Sequence, residues 1–176
     1  MNKLPPMGDP YHMPESLTEV RDALDFTPKR ILDYGFGWGV SCNLWLKWFP
    51  EATVTCCDPV KKGEFQPERG GFAIEDLTDT YGKRWRFINK PVEDVLQTDI
   101  EPFDLIFNDA DHEYDSTLEQ LRLSWDKLLP GGVLCGHDYQ LPGTRRALIK
   151  FARQMKLEYR LFDHDMRCWM IDPKGV

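Results

Sequence analysis

Acidic and imidazole side chains follow two apolar stretches in the second half of the chain. Asp109 and His112 belong to "NDADHEY" after "FDLIF", and Asp138 belongs to "GHDY" after "GVLC". Two acids at neighbouring strand ends are costly unless a positive group lies between them, and oxygen ligands suit a hard cation such as Mg²⁺. A histidine can take a proton near neutral pH. The residue types predict a site that binds a cation and activates a hydroxyl, with Asp109, His112 and Asp138 as the candidate residues.

A glycine-rich turn, "ILDYGFGWGVS", lies near the start of the chain and predicts a bound ligand. Its spacing is Asp33, Gly35, Gly37, Gly39, and Val40 stands where a dinucleotide-binding loop has its third glycine. A carboxylate at this point repels a pyrophosphate and attracts an ammonium group. Asp58, 19 residues after Gly39, follows the next apolar run and can accept hydrogen bonds from ribose hydroxyls. A ligand with an ammonium group and a ribose but no phosphate matches S-adenosylmethionine.

Helical and strand patterns alternate along most of the sequence. Helices are predicted over 14–26, 41–49, 116–129 and 144–155. A weaker helical stretch follows the loop at 59–72 and ends at about residue 81. Strands are predicted at "KRILD", "ATVTCCD", "RWRFIN", "FDLIFND", "GVLCGHD", "EYRLFDH" and "RCWMIDP", the last two joined by a turn at 163–165. This order predicts an α/β, doubly wound, mostly parallel seven-stranded sheet that ends in an antiparallel hairpin. Ligands bind such sheets beyond the carboxyl ends of the strands.

Length and composition restrict the classes of function. The 176 residues are one domain's worth, 1–176, with a proline-rich arm at 1–14. The formal charge of −7 disfavours a general nucleic-acid-binding surface. No apolar run is long enough to span a membrane and no signal-peptide core is present, so a cytoplasmic protein is expected. Five cysteines without a CxxC pair are expected to be reduced.

Three segments of the sequence resemble the class I S-adenosylmethionine-dependent methyltransferases: "LDYGFGWG", "DLIFNDADHEY" and "LLPGGVLCGHDY". The resemblance implies a Rossmann-like methyltransferase fold. It also implies a cofactor site in which Asp33 and the backbone of Gly35, Phe36, Gly37 and Gly39 hold the methionine part. Asp58 would hold the ribose, Pro91 and Val92 would flank the adenine, and Asp109 would touch the cofactor as well as the metal.

Within that class, the second half resembles the metal-dependent O-methyltransferases of catechols, caffeoyl esters and macrolide sugars. The resemblance assigns Asp109 and Asp138 to a metal, and places His112 where the catechol branch has a lysine base. Tyr139 departs from the pattern, because the residue after the second aspartate is there an amide or carboxylate ligand. Asp111, His137 or water would complete the shell, and a metal-free mechanism stays open.

The sequence leaves alternative roles open for several residues and for the whole chain. Asp109, Asn108 and His137 can be structural, capping turns or closing loops. The acceptor is expected to be a small molecule, covered by the arm, by loop 61–72 or by a second subunit in a homodimer. The basic segment 144–160, "TRRALIKFARQMKLEYR", is either a solvated face or a site for a phosphorylated or carboxylated acceptor. A metal-independent methyltransferase of protein, nucleotide or RNA, and a binding module without activity, are the competing functions.

Overall fold

The computed structural model describes residues 13–59, 71–162 and 167–171. The predicted arm, apart from its last two residues, and the predicted turn at 163–165 lie outside these ranges. The helices are α1 (Met13–Asp22), α2 (Val40–Trp48), α3 (Ile74–Tyr81), α4 (Val92–Leu96), α5 (Tyr114–Asp126) and α6 (Pro142–Met155). The strands are β1 (Arg30–Tyr34), β2 (Thr53–Cys57), β3 (Trp85–Ile88), β4 (Phe103–Asn108), β5 (Leu128–Gly136), β6 (Arg160–Leu161) and β7 (Trp169–Ile171).

One sheet contains the seven strands of the described chain, in the order β3-β2-β1-β4-β5-β7-β6. The first five strands run parallel, and β7 is antiparallel to both β5 and β6. The predicted α/β fold with a C-terminal hairpin is therefore confirmed. The order reverses between β1 and β4, and this switch point is where a doubly wound sheet opens a crevice for ligands.

Helices cover both faces of the sheet, and two apolar clusters result. Leu17 of α1, Trp45 of α2 and Leu77 of α3 belong to one cluster. Leu121 of α5 and Phe151 of α6 belong to the other, together with residues of α4. Strand β4 is buried on both faces, which explains why its sequence is apolar without alternation.

Several elements differ from the sequence-based prediction: α5 ends at Asp126 and not at 129, β6 has only two residues, and β5 and α4 differ as follows. Strand β5 begins at Leu128, upstream of the predicted "GVLCGHD", because its pairing with β4 shifts register: Leu128 pairs with Phe103 and Val133 with Leu105. The intervening residues of β5 absorb the shift and hide the strand pattern. Helix α4 was not predicted, since five residues are too few to show a helical period.

Candidate active site

A cavity of about 760 Å³ opens at the carboxyl ends of β1, β2, β4 and β5. It brings together most of the residues that the sequence singled out. Those that line it are Gly35, Phe36, Gly37, Asp58, Pro91, Val92, Asp109, His112, His137 and Asp138. Asp33 and Gly39 are the two predicted residues that do not line it.

The three glycines of the turn have different structural roles. Gly35 has a φ of +94°, and a Cβ there would collide with the carbonyl of Asp109, so the turn can approach β4 only with glycine at this position. Gly37, at φ +48°, has open space where a Cβ would lie. Gly39 precedes α2 with a φ of +66°, and a Cβ there would meet the ring of Phe36. Of the three, Gly35 and Gly37 offer their backbone to the cavity.

Phe36 joins the glycine turn to the end of β2. Its backbone N–H donates a 2.6 Å hydrogen bond to Oδ2 of Asp58. Its ring is buried and packs against Phe87 at 5.5 Å and Trp85 at 6.1 Å between ring centroids. The ring therefore belongs to the core, whereas the backbone and Asp58 face the ligand space.

Asp33 lies beneath the turn and away from the cavity. Alternation along β1 places its side chain on the same face as Ile31, against Cys42 and Trp45 of α2, and it is fully buried. Burial raises its pKa to about 7, although Ser41, Cys42 and Trp45 oppose the shift. These neighbours lie close to the carboxyl without reaching hydrogen-bond geometry in the described chain. Asp33 is therefore not among the residues that line the cavity.

Helix α4 and Trp38 form further walls of the cavity. Pro91 and Val92 lie at the start of α4, and Glu93 beside them accepts a 2.7 Å hydrogen bond from Nε2 of Gln120. Trp38 lines the opposite part of the turn, and its carbonyl accepts a 2.8 Å hydrogen bond from the backbone of Phe72. This hydrogen bond fixes the backbone of Trp38, and the residue lines the cavity.

Asp109, His137 and Asp138 form a compact cluster where β4 and β5 end. One ligand atom of each lies within 4.8 Å of the other two. His137 Nδ1 is 3.3 Å from Oδ1 of Asp138 and 3.8 Å from Oδ1 of Asp109. His112 joins the cluster from the next loop, with its Nε2 2.8 Å from Oδ2 of Asp138.

The pKa values of Asp109 and Asp138 are shifted in opposite directions. Burial raises the pKa of Asp109 well above its ordinary value, and the neighbouring charge of Asp138 raises it further. The pKa of Asp138 is held well below its ordinary value by His112 and His137, which outweigh its burial. Contact with Asp138 raises the pKa of His112, partly opposed by burial. The cluster therefore favours a cation, either an imidazolium or a metal ion.

The donor set fits a divalent metal. Two carboxylates and one imidazole from adjacent strand ends converge on one point, and these oxygen and nitrogen donors are ligands that divalent ions accept. Tyr139, which raised doubt at the sequence level, is turned away: its ring packs 6.0 Å from that of Tyr159. His137 is the residue that stands third in the cluster.

Gln140 and Arg167 are polar residues of the cavity that the sequence did not indicate. Gln140 lines the cavity, and its Nε2 donates a 2.6 Å hydrogen bond to Oδ1 of Asp138. Arg167 is buried, lines the same cavity, and its carbonyl accepts a hydrogen bond from the N–H of Tyr139. Gln140 could have been found by its nearness to Asp138 in sequence, but Arg167 lies between β6 and β7 and has no motif around it.

A family profile described as a methyltransferase domain matches residues 32–139. These residues are more than half of the chain and contain both the glycine turn and the acid–histidine cluster. The chain belongs to this methyltransferase family. The resemblance seen in the sequence is thereby confirmed. No curated protein matches the sequence.

Solved methyltransferases have the same fold. PaMTH1 from Podospora anserina, in an SAH-bound structure, is 21% identical with a TM-score of 0.65, over 92% of this chain and 78% of that one. An O-methyltransferase from Bacillus cereus in complex with SAH is 15% identical with a TM-score of 0.64, over 97% and 81%. An rRNA methylase from Streptococcus thermophilus is 17% identical with a TM-score of 0.61, over 98% and 96%. At these identities the likeness establishes the fold alone.

The methyltransferase contains, in its described ranges, no helix long and apolar enough to cross a bilayer.

Proposed function

We propose that this methyltransferase moves the methyl group of S-adenosylmethionine to a hydroxyl of a small-molecule acceptor. The observation that carries the proposal is the placement of His112, Asp109 and Asp138 in the same cavity as the glycine turn and Asp58. A nucleoside site and a proton-accepting site thus face each other across one space. The SAH-bound relatives and the O-methyltransferases of the same fold support this assignment.

The donor half of the cavity is built for a nucleoside with an amino-acid tail. Asp58 offers a carboxylate to the ribose hydroxyls while its Oδ2 accepts from Phe36. Pro91 and Val92 supply a short apolar wall for the adenine ring, and Gly37 leaves room for the methionine part along the turn. S-adenosylmethionine supplies an electrophilic methyl carbon on a sulfonium, which is the group transferred.

The acceptor half removes the proton and orients the attacking oxygen. The hydroxyl oxygen forms the new bond to the methyl carbon as the carbon–sulfur bond breaks, and its proton passes to His112. Asp138, 2.8 Å from His112 Nε2, stabilises the imidazolium that results. Because only Nε2 of His112 faces Asp138, Nδ1 is the nitrogen that would take the proton from the acceptor.

Mg²⁺ or another divalent ion would be held by Asp109, Asp138 and His137. Bound there, it would lower the pKa of a coordinated hydroxyl and fix its orientation. His137 supplies the third ligand that Tyr139 does not. The metal-free alternative predicts instead that chelation leaves turnover unchanged and that Asp138→Ala keeps most of the activity.

The remaining sequence-based expectations stand as part of the proposal. We infer one domain over residues 1–176 and a cytoplasmic location. The arm at 1–14 and the loop at 61–72, or a second subunit in a homodimer, would cover the acceptor. Size-exclusion chromatography with light scattering tests the dimer directly.

The decisive experiment is transfer of a labelled methyl group to a panel of catechols and sugar diols. His112→Ala should lose at least about a hundredfold in turnover, in line with the loss of a general base, while retaining its affinity for S-adenosylhomocysteine. Glu113→Ala, an exposed neighbour, is the matched control and should remain active. Equal turnover in the His112 and Glu113 variants would overturn the assigned base.

A further inference from the structure

Helix α6 presents a row of cations for which the proposed reaction has no use. Arg146, Lys150 and Arg153 line an open groove of about 390 Å³ together with Tyr114, Ile149 and Gln154, called here the basic groove. The three cations are four and three residues apart, which places them on one face of the helix. The opposite face of α6, including Leu148 and Phe151, is buried in the core. The groove therefore lies on the solvent-facing side of α6, whose other side is anchored in the core.

The charge of this surface contrasts with that of the whole molecule. The stretch 142–157 contains five Lys and Arg residues and no acid, in a chain whose formal charge is −7. In the described part of the chain, no carboxylate forms an ion pair with Arg146, Lys150 or Arg153. A local excess of positive charge remains, and this attracts anions.

The groove has fixed walls. The guanidinium of Arg146 lies 4.9 Å from the centre of the Tyr114 ring. Arg122 of α5 donates a 3.0 Å hydrogen bond to Oε1 of Gln154. Helices α5 and α6 pack against each other, so the backbone positions that carry these side chains have a fixed spacing. An arginine positioned over an aromatic ring loses less side-chain freedom when its N–H groups bind an anion.

The basic groove lies beside the acceptor end of the active site. Tyr114 is two residues from His112, and Leu141, which lines the active-site cavity, immediately precedes α6. Gly143, in the first turn of α6, packs directly against the carbonyl of His112. A molecule with its hydroxyl at His112 can therefore extend toward α6.

We propose that the basic groove binds phosphate groups attached to the acceptor. The inference rests on the proposed function, because it assigns a charged extension to the molecule that is methylated. Guanidinium and ammonium donors in one groove match the oxygens of a phosphate or diphosphate. Three cations in a short groove suit one such group better than a nucleic acid, which needs a longer basic track on the protein surface.

The test is calorimetric titration of the full chain with inorganic pyrophosphate and with uridine diphosphate, in low salt and saturating S-adenosylhomocysteine. Both probes should bind, and Arg146→Glu with Lys150→Glu should weaken binding by about tenfold or more. Arg145→Glu, on the same helix but outside the groove, is the matched control and should change affinity less than about twofold. Affinity should fall as salt is added, because the contacts are exposed.

The possible results separate this inference from the proposed function. Binding of pyrophosphate that is lost only in the groove variant supports the groove, whether or not S-adenosylhomocysteine binds. No binding, or equal weakening by Arg145→Glu, overturns it. A twelve-nucleotide RNA that binds more tightly than uridine diphosphate, with the same dependence on Arg146 and Lys150, would also overturn it, since the groove would then serve a polyanion.

Discussion

The backbone N–H of Phe36 donates a 2.6 Å hydrogen bond to Oδ2 of Asp58, and this contact joins the glycine turn after β1 to the end of β2. The two strands are adjacent and in register, with Tyr34 opposite Cys57. One carboxylate thus fixes the turn and lines the cavity. In the proposed function, this bond links the residues assigned to the methionine part with the residue assigned to the ribose.

Removal of this carboxylate should therefore weaken cofactor binding in two ways: the turn loses its hydrogen bond, and the ribose loses its proposed acceptor. We expect Asp58→Ala to lower the affinity for S-adenosylhomocysteine by about tenfold to a hundredfold, the range expected for hydrogen bonds to a charged group. Asp25→Ala, at an exposed acid far from the cavity, is the control and should bind normally. Calorimetry measures both, and unchanged affinity in Asp58→Ala would contradict the ribose assignment.

Alanine should be tolerated differently at two glycines of one turn. Gly35→Ala adds a Cβ that collides with the backbone of Asp109, whereas Gly37→Ala adds one in open space. Both positions have positive φ, which costs about 1–2 kcal/mol with a Cβ. We expect Gly37→Ala to lower the melting temperature by a few degrees, about 2–4 °C per kcal/mol, and Gly35→Ala to lower it clearly more. Equal melting temperatures would show that the turn can move away from β4.

Stability of the ligand-free protein should fall as pH rises from about 4 to about 7. Burial raises the pKa of Asp33 from 3.8 to about 7, so between these values the folded state holds a proton that the unfolded state releases. The stabilisation is complete below the unfolded pKa and lost through the folded one. The shift corresponds to about 4 kcal/mol at most.

Asp33→Asn isolates this contribution. The amide resembles the neutral acid in shape, so the variant should gain stability relative to the wild type at pH 8 and less at pH 4. Urea denaturation at several pH values gives the free energy of unfolding, with Asp25→Asn as control. Parallel pH profiles for wild type and Asp33→Asn would mean that Asp33 titrates as an ordinary exposed acid.

A divalent ion should stabilise the protein through the cluster at the end of β5. We expect Mg²⁺ or Mn²⁺ to raise the melting temperature of the wild type and to have no effect on His137→Ala, because one of three ligands is lost. Asp111→Ala should keep the response, since Asp111 lies at the cavity but outside the cluster. If the metal ion stabilises His137→Ala but not Asp111→Ala, then Asp111 and not His137 is the third metal ligand.

The sequence predicted the sheet and most of the cavity because both depend on local patterns. The apolar run of β4 implied a central strand, and glycine spacing located the turn. The burial of Asp33 could not be predicted, since the motif shows an acid near a strand end, whereas alternation along β1 places its side chain on the same face as Ile31, against α2. Arg167 could not be predicted, because antiparallel pairing of β7 with β5 brings it to the cavity from far along the chain.

Calorimetric titration of the full chain with S-adenosylhomocysteine tests the central claim most directly, because it requires neither an acceptor nor a metal. We expect one molecule bound per chain in the wild type and in His112→Ala, with weaker binding in Asp58→Ala. Absence of binding by the folded wild type at about millimolar ligand, an affinity near the weak limit for a specific site, would contradict the account.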